Sequence, residues 1–469
     1  MCKNNFFRKK KSFYNKSVIY IKSKNPRKLL AELSYKFVKK NTKKLIAVTG
    51  TNGKSSVADF YYQILNIRKK RVASIGTIGI QSNNKKREIR NTTLDPIKLS
   101  KTINDLSLKK IDHIILEASS HGLEQNRLDG LSFDLGIFTN LSHDHLDYHK
   151  NFRNYLNSKL YLFKYLVKKG GYVISDSTIP QFKEIKKISN KSKLKLETVF
   201  GKNSDLELLT HTYDKDHQIL KIKYKSKVFK IKLNLIGKIQ IKNILMAVLA
   251  AIKSNIKIQD IVKITSKLKP VEGRLEKIGT LRNNCKVLLD YAHTPDAIKT
   301  VLTNVKEQFP LKKICLVFGC GGDRDKDKRF KMGKIASKYA HKIYLTDDNP
   351  RNESPLKIRK DIKKGINKKK INEIANRKKA IHEAIKDLNT GDLLLVAGKG
   401  HEKTQDYGTK KLFFSDKKVI MDSIKLKNKS LSKDLKLNII KEESRSKISN
   451  KLIIKNISIN SRTIKKNDV

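Results

Sequence analysis

The sequence predicts an α/β protein built on mostly parallel sheets. Three features of the chain predict it. Short apolar runs of strand length alternate with helically spaced segments from about residue 44 to 175. A glycine-rich loop, VTGTNGKSS at 48–56, separates the first such run from a helical segment. A Pro- and Gly-punctuated stretch, KLKPVEGRLEKIG at 267–279, is followed by a second series of the same alternation, which indicates a second domain.

The first strand is Leu45-Ile46-Ala47-Val48, and helical spacing follows through Asp59, Phe60, Ile64 and Leu65. Strand, glycine turn and helix is the geometry that holds a phosphate. Gly50 and Gly53 let backbone N–H groups converge at a helix N-terminus, Lys54 adds a mobile charge, and Ser55 offers a hydroxyl to a magnesium ion. The usual spacing places a further glycine where Val48 stands. Taken alone, these residues also fit a Gly-Lys-Ser turn without a ligand.

Further strands are expected at 72–77, 111–118, 134–139 and 171–175. Apolar and charged positions alternate through 193–235, as in QILKIKYKSKVFKIKLNLIG, which predicts an antiparallel addition to the sheet. A helix at 239–253 restores the earlier pattern. Beyond the boundary, KVLLDYA, KICLVFG, HKIYLTDD and DLLLVAG read as parallel strands with polar loops at their C-terminal ends, where open α/β sheets bind ligands. Two α/β domains facing a cleft are therefore expected. Residues 427–455 are lysine- and serine-rich and weakly patterned, and read as a flexible linker.

Lysine and arginine number 104 against 44 acidic residues, a formal net charge of +60 over 469 residues. The lysines are scattered through helices and strands alike, aromatics make up 7% and tryptophan is absent, so no stacking platform accompanies the charge. Nucleic acid is not the expected partner. Cys2, Cys285, Cys315 and Cys320 have neither metal-ligand nor disulfide-framework spacing and read as reduced thiols. No apolar run approaches the roughly 20 residues of a membrane span, and the N-terminus has no signal-peptide core, so a cytoplasmic protein is expected.

Eight motifs carry a more specific resemblance: the first loop, EASSHGLEQNRL, TNLSHDHLDYH, GRLE, DYAHTPDA, FGCGGDRDKDKR, TDDNPR and GKGHE. Their order resembles that of the Mur ligases, and within that family the branch that adds diaminopimelate as third residue of the peptidoglycan stem. The resemblance runs from about residue 44 to 426. It implies a P-loop-type central ATPase domain at 44–270 and a Rossmann-like C-terminal domain at 271–426 that binds the amino acid. It also implies that 1–43 is the remnant of a shortened N-terminal UDP-binding domain with its exit helix. The tail, within 427–469, resembles the start of the neighbouring ligase that adds D-Ala-D-Ala, which leaves three readings: a reduced variant, a fragment, or one of a split pair in which a second Mur ligase chain is the partner that supplies or shares an N-terminal domain.

The implied reaction uses ATP and Mg2+ to phosphorylate the D-glutamyl carboxylate of UDP-N-acetylmuramoyl-L-alanyl-D-glutamate, after which an amine of meso-diaminopimelate displaces the phosphate. Lys54, Glu117, His145 and Lys159 are the implied catalytic set, with Ser55, Glu117 and His145 at the metal. Lys159 matches a lysine carbamylated to N6-carboxylysine in the family. Gly50, Thr51, Asn52, Gly53, Lys54, Ser55, Ser56, Asn243, Arg274, Asp290 and His293 match nucleotide positions. Thr92, Thr93, Ser119, Ser120, Gln125 and Arg127 match those that hold the muramoyl dipeptide. Arg324, Asp348, Asn349, Arg351, Gly398 and Glu402 match the amino-acid site, where a paired acid and arginine suit the ammonium and carboxylate at the far end of diaminopimelate. The family commonly has Phe-Asn where Ile239-Gln240 stand; Gln240 keeps an amide. The rival readings are a lysine-adding sister enzyme, a folylpolyglutamate synthase-like ligase, and an inactive basic nucleic-acid-binding fragment.

Overall fold

A computed structural model describes residues 13–15, 18–36, 42–142 and 144–444. The chain forms two compact units. One comprises Met1–Asp214, Gln218–Asn234 and Gln240–Lys269, the other Lys215–His217, Leu235–Ile239 and Pro270–Val469.

The first unit is organised by an 11-stranded sheet. Its strand order is Lys227–Leu233, His217–Tyr224, Leu206–Asp214, Lys195–Phe200, Val167–Asp176, Phe133–Phe138, Lys44–Thr49, His113–Glu117, Val72–Gly76, Gly79–Ser82 and Lys85–Arg87. The strand that leads into the phosphate loop lies in the middle, parallel to both neighbours, and its residues from Leu45 to Thr49 are all buried. Burial on both faces explains why these strands read as continuous apolar runs rather than alternating ones. Helix Lys54–Ile67 buries Val57, Phe60, Tyr61, Ile64 and Leu65 and follows the loop directly.

The expected antiparallel addition at 193–235 is corrected in part. Lys195–Phe200 pairs parallel with Val167–Asp176, and Leu206–Asp214 pairs parallel with Lys195–Phe200; His217–Tyr224 and Lys227–Leu233 form an antiparallel hairpin. Alternation reports one-sided burial, not strand direction, so the pattern could not separate the two cases.

The second unit has a 6-stranded sheet in the order Glu276–Thr280, Lys286–Asp290, Leu393–Ala397, Ile314–Phe318, Lys342–Leu345 and Ile371–Glu373. The first pair is antiparallel and the rest parallel. Helices Pro295–Gln308, Asp327–Tyr339 and Pro355–Lys363 contribute to the core on one face, and Arg377–Lys386 and Asp416–Ser444 to that on the other. Thr294 and Ser354 cap two of these helices just ahead of a proline, a combination that satisfies a free N–H and presets the first turn. Because Leu393–Ala397 lies between Lys286–Asp290 and Ile314–Phe318, the loops after Asp290, Phe318 and Ala397 emerge side by side.

The linker expected at 427–455 is also corrected: helix Asp416–Ser444 occupies its first part. Ile420 and Ile424 anchor that helix in the core, and its low overall apolar content hid it from the sequence pattern. Helix Pro26–Lys36 occupies part of the expected remnant at 1–43, and the tail after Ser444 lies outside the described residues. Among the described residues no helix is long and apolar enough to cross a membrane.

Candidate active site

In the first unit the phosphate loop turns at Gly50 and Gly53, with φ of 142° and 88°. A Cβ on Gly50 would lie 1.9 Å from Thr139 Oγ1 and 3.0 Å from the Asn140 carbonyl, so glycine is required by space as well as by φ. The loop is pinned from the adjacent strand end: Thr51 N donates to Asn140 O at 2.9 Å and Asn52 N to Asn140 Oδ1 at 2.9 Å. Asn243, buried on helix Ile239–Lys253, places its Oδ1 against Gly53, and Gln240 is buried one turn before it. Ser56 is buried behind the loop.

Two lysines converge on one carbonyl. Lys54 Nζ donates to Gly50 O at 2.9 Å and Thr51 O at 2.8 Å, and Lys159 Nζ donates to the same Gly50 O at 2.8 Å. Lys159 is 1% exposed, and its ammonium lies 4.3 Å from the centre of the Tyr155 ring. Burial, reinforced by the neighbouring Lys54 charge, holds Lys159 well below the usual lysine range. Tyr155 in turn touches the loop through Thr51, with 3.0 Å between their hydroxyls.

Glu117 closes its strand with a buried carboxylate. Ser55 Oγ donates to Oε2 at 3.0 Å, Thr77 N to Oε1 at 2.8 Å and Thr77 Oγ1 to Oε2 at 3.1 Å. Gly76 leaves room for this carboxylate, since a Cβ there would meet Oε1 at 2.1 Å. The serine hydroxyl and carboxylate form a hard-oxygen pair next to the phosphate loop, a donor set that fits Mg2+ once phosphate oxygens and water complete its shell. His145, at φ 53°, packs edge-on to His121 with 4.9 Å between ring centres and carries Asp144 at 3.5 Å. Its side chain is 47% exposed; partial desolvation lowers its imidazole to about 4, opposed by Asp144. Among the described residues no group of three or more His, Cys, Asp or Glu is arranged to hold a metal. The structure thus joins Ser55 to Glu117 and does not gather His145 with them into such a cluster.

The residues expected to hold the muramoyl dipeptide form one connected patch. Thr77 Oγ1 and Thr92 Oγ1 are 3.0 Å apart, Thr93 Oγ1 donates to Glu117 O at 2.8 Å, and Arg127 Nη1 donates to Thr93 O at 2.6 Å. Arg127 Nε and Nη2 both donate to Gln125 Oε1, at 3.0 and 2.6 Å, while Ser119 caps the short helix that contains buried Ser120.

In the second unit, Arg274 lies over the Tyr291 ring at 4.4 Å and His293 packs on its edge at 4.7 Å. Asp290, expected to face a nucleotide, is instead turned into the backbone: it accepts Leu275 N and Ala292 N, both at 2.7 Å, and is 6% exposed. Burial raises its carboxyl, opposed by Arg274 and by those N–H donors. It braces the loops around the site.

The loop that follows Leu345 forms a dense polar cluster with the loop after Ala397. Asp348 and Asn349 are buried, and Arg351, at φ 53°, donates from Nη1 to Gly322 O at 2.6 Å. Gly322 N returns a bond to Asn349 O at 2.9 Å, which ties the loop that carries exposed Arg324 to this cluster. Gly398, at φ 114°, lets the chain pass Asp348, whose Oδ2 would sit 2.4 Å from a Cβ there. Glu402 Oε2 accepts from Lys399 Nζ and from Asn349 Nδ2, both at 2.9 Å. Burial pushes the Glu402 carboxyl up, but Lys399 and the Asn349 amide outweigh it and hold the group below the usual range.

Three neighbours of this cluster escaped the sequence reading: Lys399, Arg377 and Asp416. Arg377 is fully buried, donates from Nε and Nη2 to Asp416 at 2.8 and 2.7 Å, and lies 4.0 Å from Asp348 Oδ2. Lys399 stood in view inside GKGHE, between two glycines, a spacing that could have marked it as inward-facing.

Residues 48–251 match the Mur ligase middle domain and residues 273–400 the Mur ligase glutamate ligase domain. The chain therefore belongs to the Mur ligase family. A relative from Rickettsia montanensis, named UDP-N-acetylmuramoyl-L-alanyl-D-glutamate–2,6-diaminopimelate ligase, is 40% identical over 422 residues, 89% of this chain and 87% of its own. A solved structure bearing the same enzyme name superposes with a TM-score of 0.64 at 29% identity, over 88% of this chain and 85% of that one. The MurF ligase of Thermotoga maritima in complex with ADP shares the fold, with a TM-score of 0.63 at 15% identity over 89% and 88%.

Proposed function

We propose that this chain is the ligase that adds meso-diaminopimelate to the D-glutamyl carboxylate of UDP-N-acetylmuramoyl-L-alanyl-D-glutamate, with ATP as the energy source. The observation that carries the reading is the loop cluster of buried Asp348 and Asn349 with half-buried Arg351 and Glu402, which gathers acceptors and a guanidinium and suits a ligand with both an ammonium and a carboxylate. The 40% identity to a relative of that name supports it over nearly the whole chain.

The D-glutamyl carboxylate attacks the γ-phosphorus of ATP, ADP leaves, and an acyl phosphate forms. The neutral amine of diaminopimelate then attacks the acyl carbon, the C–O bond to phosphate breaks, and the amine proton is lost as the amide forms. The phosphate loop would cradle the nucleotide phosphates with its backbone N–H groups, and Lys54 would leave its loop carbonyls to neutralise them. Ser55 and Glu117 would hold Mg2+, which supplies charge neutralisation at the transferring phosphoryl group. Lys159, buried beside Gly50 with its pKa lowered by that burial, would capture CO2 as the carbamate with loss of a proton, which would give the site a second carboxylate-like group. Thr92, Thr93, Ser119, Ser120, Gln125 and Arg127 would orient the acceptor, and Asn243, with its Oδ1 against Gly53, would meet the nucleotide held by the phosphate loop.

The test is phosphate release from ATP with Mg2+ and the UDP-muramoyl dipeptide, comparing meso-diaminopimelate with L-lysine. Turnover with diaminopimelate alone, lost in Arg351→Ala, is expected. Equal turnover with L-lysine, or none with either amino acid, would overturn the reading.

A further inference from the structure

Lys399 is 0% exposed, whereas among the described residues most lysines and arginines are exposed or half-buried. It is turned inward by its flanks: Gly398 and Gly400 have φ of 114° and 53°, and a Cβ on Gly400 would lie 2.8 Å from Tyr291 Cβ and 3.0 Å from Gly273 O. A buried ammonium must find acceptors, and this one finds two side chains from two different loops. Lys399 Nζ donates to Asn349 Oδ1 at 2.8 Å and to Glu402 Oε2 at 2.9 Å, and Asn349 Nδ2 donates to the same Oε2 at 2.9 Å.

The closed triangle has a directional consequence. Asn349 Oδ1 also accepts Asp406 N at 3.0 Å, so both its lone pairs are used and the amide cannot be flipped without loss. Glu402 Oε2 is saturated in the same way. Among the described residues, what remains is Glu402 Oε1, which meets the Tyr291 hydroxyl at a long 3.5 Å, and the second N–H of the Asn349 amide. One acceptor for an ammonium and one donor for a carboxylate are thereby left for a ligand.

We propose that Lys399 is a positioning residue of the amino-acid site: its ammonium locks Glu402 and Asn349 so that one carboxylate oxygen and one amide N–H face the α-amino acid that enters. This rests on the amino-acid-site reading given above. Lys399 does not touch the substrate; it acts through Glu402.

The experiment is a double-mutant cycle on the full chain with Lys399→Met, Glu402→Gln and the double variant, reading KM for meso-diaminopimelate and KM for ATP. Loss of one charge-assisted bond to the binding carboxylate should raise the diaminopimelate KM about 10- to 100-fold in Lys399→Met. The ATP KM should stay within about twofold, and Lys399→Met added to Glu402→Gln should cost less than about threefold more, because coupled residues are not additive. Additive effects, or a matching rise in the ATP KM, would show a merely structural lysine and overturn the proposal. Glu402→Gln with an unchanged diaminopimelate KM would remove the site reading itself, and the proposal with it; an effect of Glu402→Gln with a silent Lys399→Met would overturn the proposal alone. If Lys399→Met does not fold, Lys399→Gln, which keeps a donor without the charge, replaces it in the same cycle with the same expected non-additivity.

Discussion

Replacing Arg377 with Met should destabilise the second unit by about 3 kcal/mol, near the low end of the cost of breaking a buried ion pair. The guanidinium and the Asp416 carboxylate are each 0% exposed. Three bonds vanish with it: Nε to Asp416 Oδ1 at 2.8 Å, Nη2 to Asp416 Oδ2 at 2.7 Å, and Nη2 to Ala397 O at 2.9 Å. Met fills much of the stem volume, so the cavity contribution is small and the main cost is the stranded carboxylate. Asp416 opens helix Asp416–Ser444, and the helix dipole offsets that cost by about 0.3–1 kcal/mol, which is why the low end is chosen. With a urea slope of about 2–3 kcal/mol/M the midpoint should fall by roughly 1–1.5 M. Hydrogen exchange in strand Leu393–Ala397, followed against urea, confines the reading to this unit. Adding Asp416→Leu should restore most of the loss, since a buried pair exchanged for apolar groups is often neutral. A midpoint shift below about 0.5 M, or a double variant as unstable as the single one, would refute the reasoning.

Lys159 should take up 13C-labelled CO2 as a carbamate signal by NMR, absent in Lys159→Met; a wild-type protein with no such signal would contradict the carbamate reading. Its folded value lies below 10.5, so the unfolded state binds more protons and this group's contribution to stability grows as pH rises toward that value. His145, depressed from 6.5 to about 4, should keep neutral-imidazole chemical shifts from pH 8 down to about 5. The sign follows from the lowered folded value: its contribution to stability is full above the unfolded pKa and is lost as pH falls from 6.5 toward about 4. A His145 titration midpoint near 6.5 would contradict the partial desolvation argued for this half-exposed side chain.

Much of the fold was legible because its signals are local. Apolar runs buried on both faces, glycines at forced turns and Ser or Thr ahead of Pro each act within a few residues, so the central strand, the phosphate loop and helix Lys54–Ile67 could be read directly. Strand direction could not. The alternation at 193–235 shows which side is buried, whereas the parallel pairing of Lys195–Phe200 with Val167–Asp176 is decided by where the intervening helix returns the chain. Helix Asp416–Ser444 was concealed for a related reason: its stability comes from a few core contacts such as Ile420, not from a strong amphipathic pattern.

By itself the sequence determined which chemical groups are available and roughly which loop carries each: the glycines and lysine at 48–56, the carboxylate of Glu117, and the acid and arginine of DDNPR. Only the tertiary structure decided what each group faces. It turned Asp290 into the backbone, set Lys54 and Lys159 on the same carbonyl, and buried Lys399 against Glu402 and Arg377 against Asp348. The physical reason is that a lysine or arginine side chain carries the same charge on a surface as in a core. Its desolvation and its partners come from segments distant in sequence, and these fix whether it is a solvated cation, a buried amine of lowered pKa or the support of a carboxylate.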